Sequence, residues 1–215
     1  MQRLFRRKHM QRLRINFSKS SVLRFTSHLD LQRIFIRMLR KSNLPLKYSD
    51  GFNPHILLSF ALPLPLGMTS ENEYAEVILL EQADNGEVSS VLQQNAPNGI
   101  TIKQTFHTDK KAASIITAAD YELLADIQED KITNLLESDS LFVEKKSKKG
   151  FKQQDIRQDI ITLNKNGNTY MRLTAGGERS LNPVLVMKLL TENPCPTKIV
   201  RKNLLTTNEG VFETL

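Results

Sequence analysis

Two polar clusters in the first quarter of the chain hold the side chains best suited to chemistry. Ser27, His28 and Asp30 stand together, and Tyr48, Ser49, Asp50, Asn53 and His55 crowd the stretch YSDGFNPH. Histidine titrates near neutral pH, so His28 can give or take a proton, and the free N–H groups of a helix N-terminus beside it favour a bound phosphate. That pairing suits RNA chemistry; a histidine in a capping turn accounts for His28 equally well. Asp30 reads first as a first-turn carboxylate favoured by the helix dipole and second as a base. Asn53-Pro54-His55 is a rigid turn that presents an amide and an imidazole to a ligand, unless Asn53 only stabilises its own turn. His28, Asp30 and His55 lack the spacing of metal ligands, and no metal site or other cofactor is expected.

A strand and a helix must position these groups. RLRINF, Arg12 to Phe17, alternates so that Leu13, Ile15 and Phe17 share one face of a strand while Arg12 and Arg14 face the other way. Ser27 with Asp30 three residues on resembles a capping box. The helix that follows carries Leu31, Ile34, Phe35, Met38 and Leu39 as a buried stripe, and Arg33, Arg37, Arg40 and Lys41 on another face, until Asn43 and Pro45 end it. Residues 1 to 55 hold 13 Lys or Arg against Asp30 and Asp50, a net +11, whereas the remaining 160 residues sum to −4. Such asymmetry points to a polyanion, with Arg12, Arg14, Arg24, Arg33, Arg37, Arg40 and Lys41 as the expected phosphate contacts. By sequence, His28 and the 48–55 cluster lie at opposite ends of the helix, roughly 20 Å apart at about 1.5 Å per residue. They meet only if 48–55 folds back along it.

An apolar run within residues 48–67, a strand at 74–81, a short helix at 88–95 and a strand at 100–105 complete a β-α-β-β-α-β order. The pattern restarts with strands at 121–125 and 141–146, a helix at 130–138, a hairpin of 159–164 and 170–174 around Asn166-Gly167, a helix at 183–190 and a strand at 198–204. The expected fold class is α+β, two ferredoxin-like units in tandem: a basic leader at 1–11, a first unit at 12–106, a link at 107–118 and a second unit at 119–215. Lys145, Lys146, Lys148, Lys149 and Lys152 crowd a hairpin tip, a solvated loop or a second phosphate contact. Gly176 and Gly177 read as a turn. No apolar run is long enough to span a membrane or to serve as a secretion signal. The single cysteine, Cys195, excludes a disulfide framework and fits a reducing, cytoplasmic setting.

The run from Phe17 to Leu79 resembles the radical SAM-linked protein family, a bacterial group of unassigned function. Its carriers are RFTSHLDLQR at 24–33, YSDGFNPH at 48–55 and PLPLGMTSENEY at 63–74, with a fainter likeness at KGFKQQDIR, 149–157. After His55 this sequence has Ile56-Leu57 where that family commonly has a proline and a basic residue. Members occur fused to, or encoded beside, cobalamin-type radical SAM proteins, which implies an accessory role with such a partner. One cysteine cannot ligate an iron–sulfur cluster, so the radical chemistry would belong to the partner. The chain is also similar in architecture to tandem ferredoxin-like RNA endonucleases, with His28 the one chemical match.

The leading expectation is thus an RNA-binding accessory protein, in which His28, Asp30, Tyr48, Ser49, Asn53 and His55 recognise a particular group. About six phosphate contacts would weaken binding roughly a thousandfold between 50 and 200 mM salt. Metal-independent RNA cleavage through His28 and a non-catalytic protein adaptor are the alternatives.

Overall fold

The computed structural model describes residues 10–147, 150–177 and 179–215, so most of the basic leader and the tip of the lysine-rich hairpin lie outside the described residues. The first half runs β1 (Gln11–Lys19), α1 (His28–Lys41), β2 (Ser59–Phe60), β3 (Thr69–Leu79), α2 (Asn85–Asn95) and β4 (Ile100–His107). Alternation in β1 puts Leu13, Ile15 and Phe17 on one face. There they bury with Ala75, Val77 and Leu79 of β3 and Ile100 and Ile102 of β4 beneath both helices. The stripe Leu31, Phe35, Met38 and Leu39 is the buried face of α1, and Phe35 packs on Phe17 with ring centroids 4.7 Å apart. Strands follow the order β4-β1-β3, and β2 adds to the far edge of β3.

A one-turn helix, α3 (Ala112–Ile115), leads into the second half. There follow β5 (Ile116–Leu123), α4 (Glu129–Glu137), a hairpin of β6 (Phe142–Ser147) and β7 (Gly150–Asp155), β8 (Ile160–Asn166), β9 (Asn168–Thr174), α5 (Pro183–Leu190), β10 (Ile199–Asn208) and β11 (Val211–Thr214). The order here is β10-β5-β9-β8, again with the first strand between the last and the third, and β6-β7 forms a small sheet of its own. Ile132 and Leu135 of α4 and Val186, Met187 and Leu190 of α5 cover the Tyr121, Leu123, Met171 and Leu173 face. The described residues therefore form an α+β structure with five α-helices and a nine-stranded, mostly antiparallel sheet. Among the described residues no helix is long and apolar enough to cross a membrane.

One seam makes the two strand sets a single sheet. Val200 and Arg201 of β10 pair in parallel with Thr69 and Ser70 of β3. Arg201 is fully buried there. Its Nε and Nη2 donate to the two carboxylate oxygens of Glu73 at 2.7 and 2.5 Å, and Nη2 and Nη1 donate to the carbonyls of Leu62 and Pro63 at 2.8 and 3.3 Å. Burial opposes the charged guanidinium, but the carboxylate and the Tyr121 phenol more than offset it and hold its pKa above the ordinary value. Because β10 occupies the start of β3's edge, the apolar run before it forms only the two-residue strand β2, where the expectation was a longer one. Pro63 and Pro65 also withhold backbone donors there.

Residues 107–118 do more than connect. Arg14 Nε donates to Glu76 Oε1 at 2.9 Å, the Ala112 N–H donates to the same oxygen at 3.0 Å, and Arg14 Nη2 donates to the Lys110 carbonyl at 2.7 Å. This connection thus covers the polar face of β1 and β3, with Arg14 over the Phe106 ring.

Removing one partner of a buried pair strands the other charge, which typically costs about 3–5 kcal/mol. Glu73→Gln is expected to lower unfolding stability by that order in urea titrations, whereas Arg33→Ala, which breaks an exposed pair with Asp30, leaves the midpoint unchanged. Equal effects would show that the seam does not depend on this pair.

Candidate nucleic-acid interface

The start of α1 is an internally satisfied cap. The Ser27 hydroxyl accepts from the Asp30 N–H at 3.1 Å and donates to Asp30 Oδ2 at 2.7 Å, and Arg33 donates to Oδ1 at 2.7 Å. The Ser27 hydroxyl, then Arg33, hold the Asp30 carboxyl below its usual range, which suits a capping anion rather than a base. His28 stands edge-on to Phe60 at 5.3 Å, and Phe60 in turn packs against Phe35 at 5.1 Å and Phe17 at 6.0 Å. His28 therefore extends the aromatic core at the end of the helix.

Farther along α1 the cations are free. Arg37, Arg40 and Lys41 are exposed, and among the described residues none meets an acidic side chain. Arg37 and Lys41, four residues apart, share a helix face and border a cleft of ≈ 250 Å³ whose other lining residues are Ile34, Met38, Asn95 and Pro97. An apolar floor rimmed by two cations suits an anion that carries a flat or apolar body.

The 48–55 segment closes on itself. Tyr48 bridges to Ile56, the Ser49 N–H donates to the His55 carbonyl at 2.8 Å, and Ser49 Oγ accepts from the His55 N–H at 3.1 Å while facing His55 Nδ1 at 2.8 Å. Gly51, with φ +113°, supplies the left-handed turn at the tip, where Phe52 is wholly exposed. Tyr48 and Asn53 are exposed as well. His28 and His55 make no hydrogen bond or ring contact with each other; the first rests on Phe60 and the second on Ser49. The turn thus satisfies its backbone locally.

Of the expected phosphate contacts, Arg14 is withdrawn: it is only 3% exposed and bound to Glu76. Arg12 lies 3.5 Å from the same carboxylate. Arg24 is partly buried with its Nε unpartnered, and Arg33 is tied to Asp30. Glu71, Glu73 and Glu76, on a strand that pairs with the basic β1, were the signal that strand cations would be neutralised. Phe52 was missed; an aromatic flanked by Gly51 and Pro54 in a turn has nowhere to be buried.

A cleft of ≈ 290 Å³ on the other half, bordered by Asp120, Thr162, Asn164, Tyr170, Arg172 and Lys202, is electrostatically closed. Arg172 grips Asp120 through two bonds of 2.7 and 3.1 Å, and Lys202, Tyr170 and Asn168 all engage Glu122. It offers no free cation to an anion. Among the described residues no three of His, Cys, Asp or Glu gather as metal ligands.

Residues 12–183 match the family described as an uncharacterized protein conserved in bacteria (DUF2344), and the chain belongs to it. That description states no activity and no partner. No curated protein matches the chain.

Phe52→Ala and Asn53→Ala truncate exposed side chains, so thermal unfolding midpoints should stay within about 2 °C of the parent, whereas Phe60→Ala should cost about 3 kcal/mol and lower the midpoint by several degrees. A comparable fall for Phe52→Ala in calorimetry would make the loop tip part of the scaffold.

Proposed function

We propose that this bacterial protein binds RNA as an accessory factor, with α1 meeting phosphates and the 48–55 loop meeting bases. The observation that carries the reading is the row Arg37, Arg40 and Lys41, exposed and unpaired among the described residues, with Arg37 and Lys41 bordering a cleft, in a protein whose strand arginines are neutralised by acids. Unpaired cations at helical spacing keep their charge for an external polyanion and release its counterions on binding. The loop that follows α1 adds Tyr48 and Phe52, two exposed aromatic rings of the kind on which unstacked bases rest.

The repeated strand order supports reading each half as a ferredoxin-like unit, the first using its helix rather than its sheet as the binding face. Sheet binding is disfavoured there because residues 110–112 cover the face that carries Arg14. The sequence resemblance supports a radical SAM protein as the partner on the same RNA. In that pairing this chain holds the substrate, since Cys195 alone cannot anchor a cluster. His28, packed on Phe60, fits a scaffold role better than that of a proton-transfer group in RNA cleavage.

Three free cations imply a milder salt dependence than the full set of basic residues would give. Affinity for structured or single-stranded RNA should fall about 20- to 40-fold between 50 and 200 mM salt, as expected for about three phosphate contacts. Replacing Arg37, Arg40 and Lys41 together with Gln should remove most of that slope without altering the fold, as read by fluorescence anisotropy and circular dichroism. Absence of binding to tRNA and ribosomal RNA fragments at 50 mM would end the RNA reading, and capture of a protein partner that survives nuclease would favour the adaptor.

A further inference from the structure

The cleft of ≈ 250 Å³ against α1 is lined by Ile34, Arg37, Met38 and Lys41 of that helix, by Asn95 at the end of α2 and by Pro97 in the turn that leads to β4. Helix stability does not account for its cations. A helix C-terminus favours positive side chains, which explains Arg40 and Lys41 in the last turn of α1, but Arg37 stands a turn earlier. There it is four residues from Arg33 on one side and from Lys41 on the other, and like charges at that spacing oppose the helix. Arg33 is answered by Asp30, whereas Arg37 and Lys41 have no acidic partner among the described residues. Two exposed cations held at one cleft against their own repulsion are complementary to an anion.

The rest of the lining sets what the anion carries. Met38 is buried and Ile34 partly so, and with Pro97 they give the cleft an apolar surface. Asn95 adds an amide already held in place, its Nδ2 donating to the Val91 carbonyl at 2.9 Å. The lining contains no carboxylate to repel an anion. The volume is below the roughly 300 Å³ at which drug-sized sites begin, so it takes one base and not a base pair, and an apolar surface suits the π-face of such a base. Charge decides which phosphate accompanies it. An internal phosphodiester carries a single negative charge, whereas a terminal monoester carries about −1.5 to −2 at pH 7 and three strong acceptor oxygens. The planar fork of Arg37 together with the point charge of Lys41 matches the monoester.

We propose that this cleft receives the phosphorylated end of an RNA strand, its monoester phosphate between Arg37 and Lys41 and its terminal base on Ile34, Met38 and Pro97. The inference rests on the RNA-binding reading above and narrows it from a polyanion to a strand end. Arg40, on the same helix but outside the lining, is left for the next phosphate of the strand.

Mononucleotides test the cleft apart from the rest of the surface. Adenosine 5′-monophosphate or adenosine 3′-monophosphate should bind in titration calorimetry, while adenosine, inorganic phosphate and a dinucleoside monophosphate, whose one phosphate is a diester, should each bind at least about tenfold more weakly. Single strands phosphorylated at the 5′ or at the 3′ end then identify which end is held. Pro97→Trp, which fills the cleft and leaves Arg37, Arg40 and Lys41 in place, should remove the preference for a phosphorylated end; if circular dichroism shows that this variant does not fold, the wild-type series decides alone. No binding of either monophosphate, an equal affinity for the diester, or strands that bind alike with and without an end phosphate overturns the proposal, and strand binding at about 50 mM salt would still leave the RNA reading standing. Monophosphates bound by a protein that binds no strand at that salt would instead remove the RNA reading and the strand end with it, leaving a site for a free nucleotide.

Discussion

The buried pair of Arg201 and Glu73 is the constraint on which the rest of the molecule depends. A guanidinium with no access to water is tolerable only where donors and charge are answered in place, and here a bidentate carboxylate and two carbonyls do so. Those partners come from β3 and from the Leu62–Pro63 turn before it, while Arg201 comes from β10, more than a hundred residues later. The pair therefore sets the register of the parallel seam. Lys19, also buried, borders the same carboxylate; burial first, with the repulsion of Arg201 opposing the pull of Glu73, lowers its pKa. Its ammonium lies 3.4 Å from the carbonyls of Arg24 and Thr26, which ties the segment before α1 to the seam.

Acidic residues on the strands sort the cations into two populations. Glu76 takes Arg14 and Arg12, Glu73 takes Arg201, Asp120 takes Arg172, and Glu122 with Glu71 takes Lys202. On α1, Arg37, Arg40 and Lys41 have no acidic partner among the described residues. Three unpaired cations on one helix, followed by a loop with an exposed aromatic ring, make a surface with a direction. The packing of the sheet thus creates the candidate interface by subtraction, neutralising the strand arginines and leaving the helix ones.

Much of the fold was legible because period and caps are local. The stripe of α1 and its Ser27 cap, the Asn166-Gly167 hairpin and the 183–190 helix each follow from residues within a few positions of one another. Boundaries moved where distant partners intervened: β3 begins at Thr69 and β5 at Ile116, both extended by pairing with β10. The short β2 has the same origin, since an edge already held by β10 is closed to it.

The candidate site divides along the same line. By itself the sequence determined that α1 presents a cationic row opposite a buried stripe, that Ser27 and Asp30 begin it, and that 48–55 is a turn, because periodicity and turn chemistry need no distant contact. Only the tertiary structure decided which arginines are free, that His28 packs on Phe60, and that Gln11, Arg12 and His107 border one recess. Each of these depends on groups far apart in the chain meeting in space, such as Arg14 with Glu76 or β1 with β4, and no spacing within a single segment encodes whether such a meeting occurs.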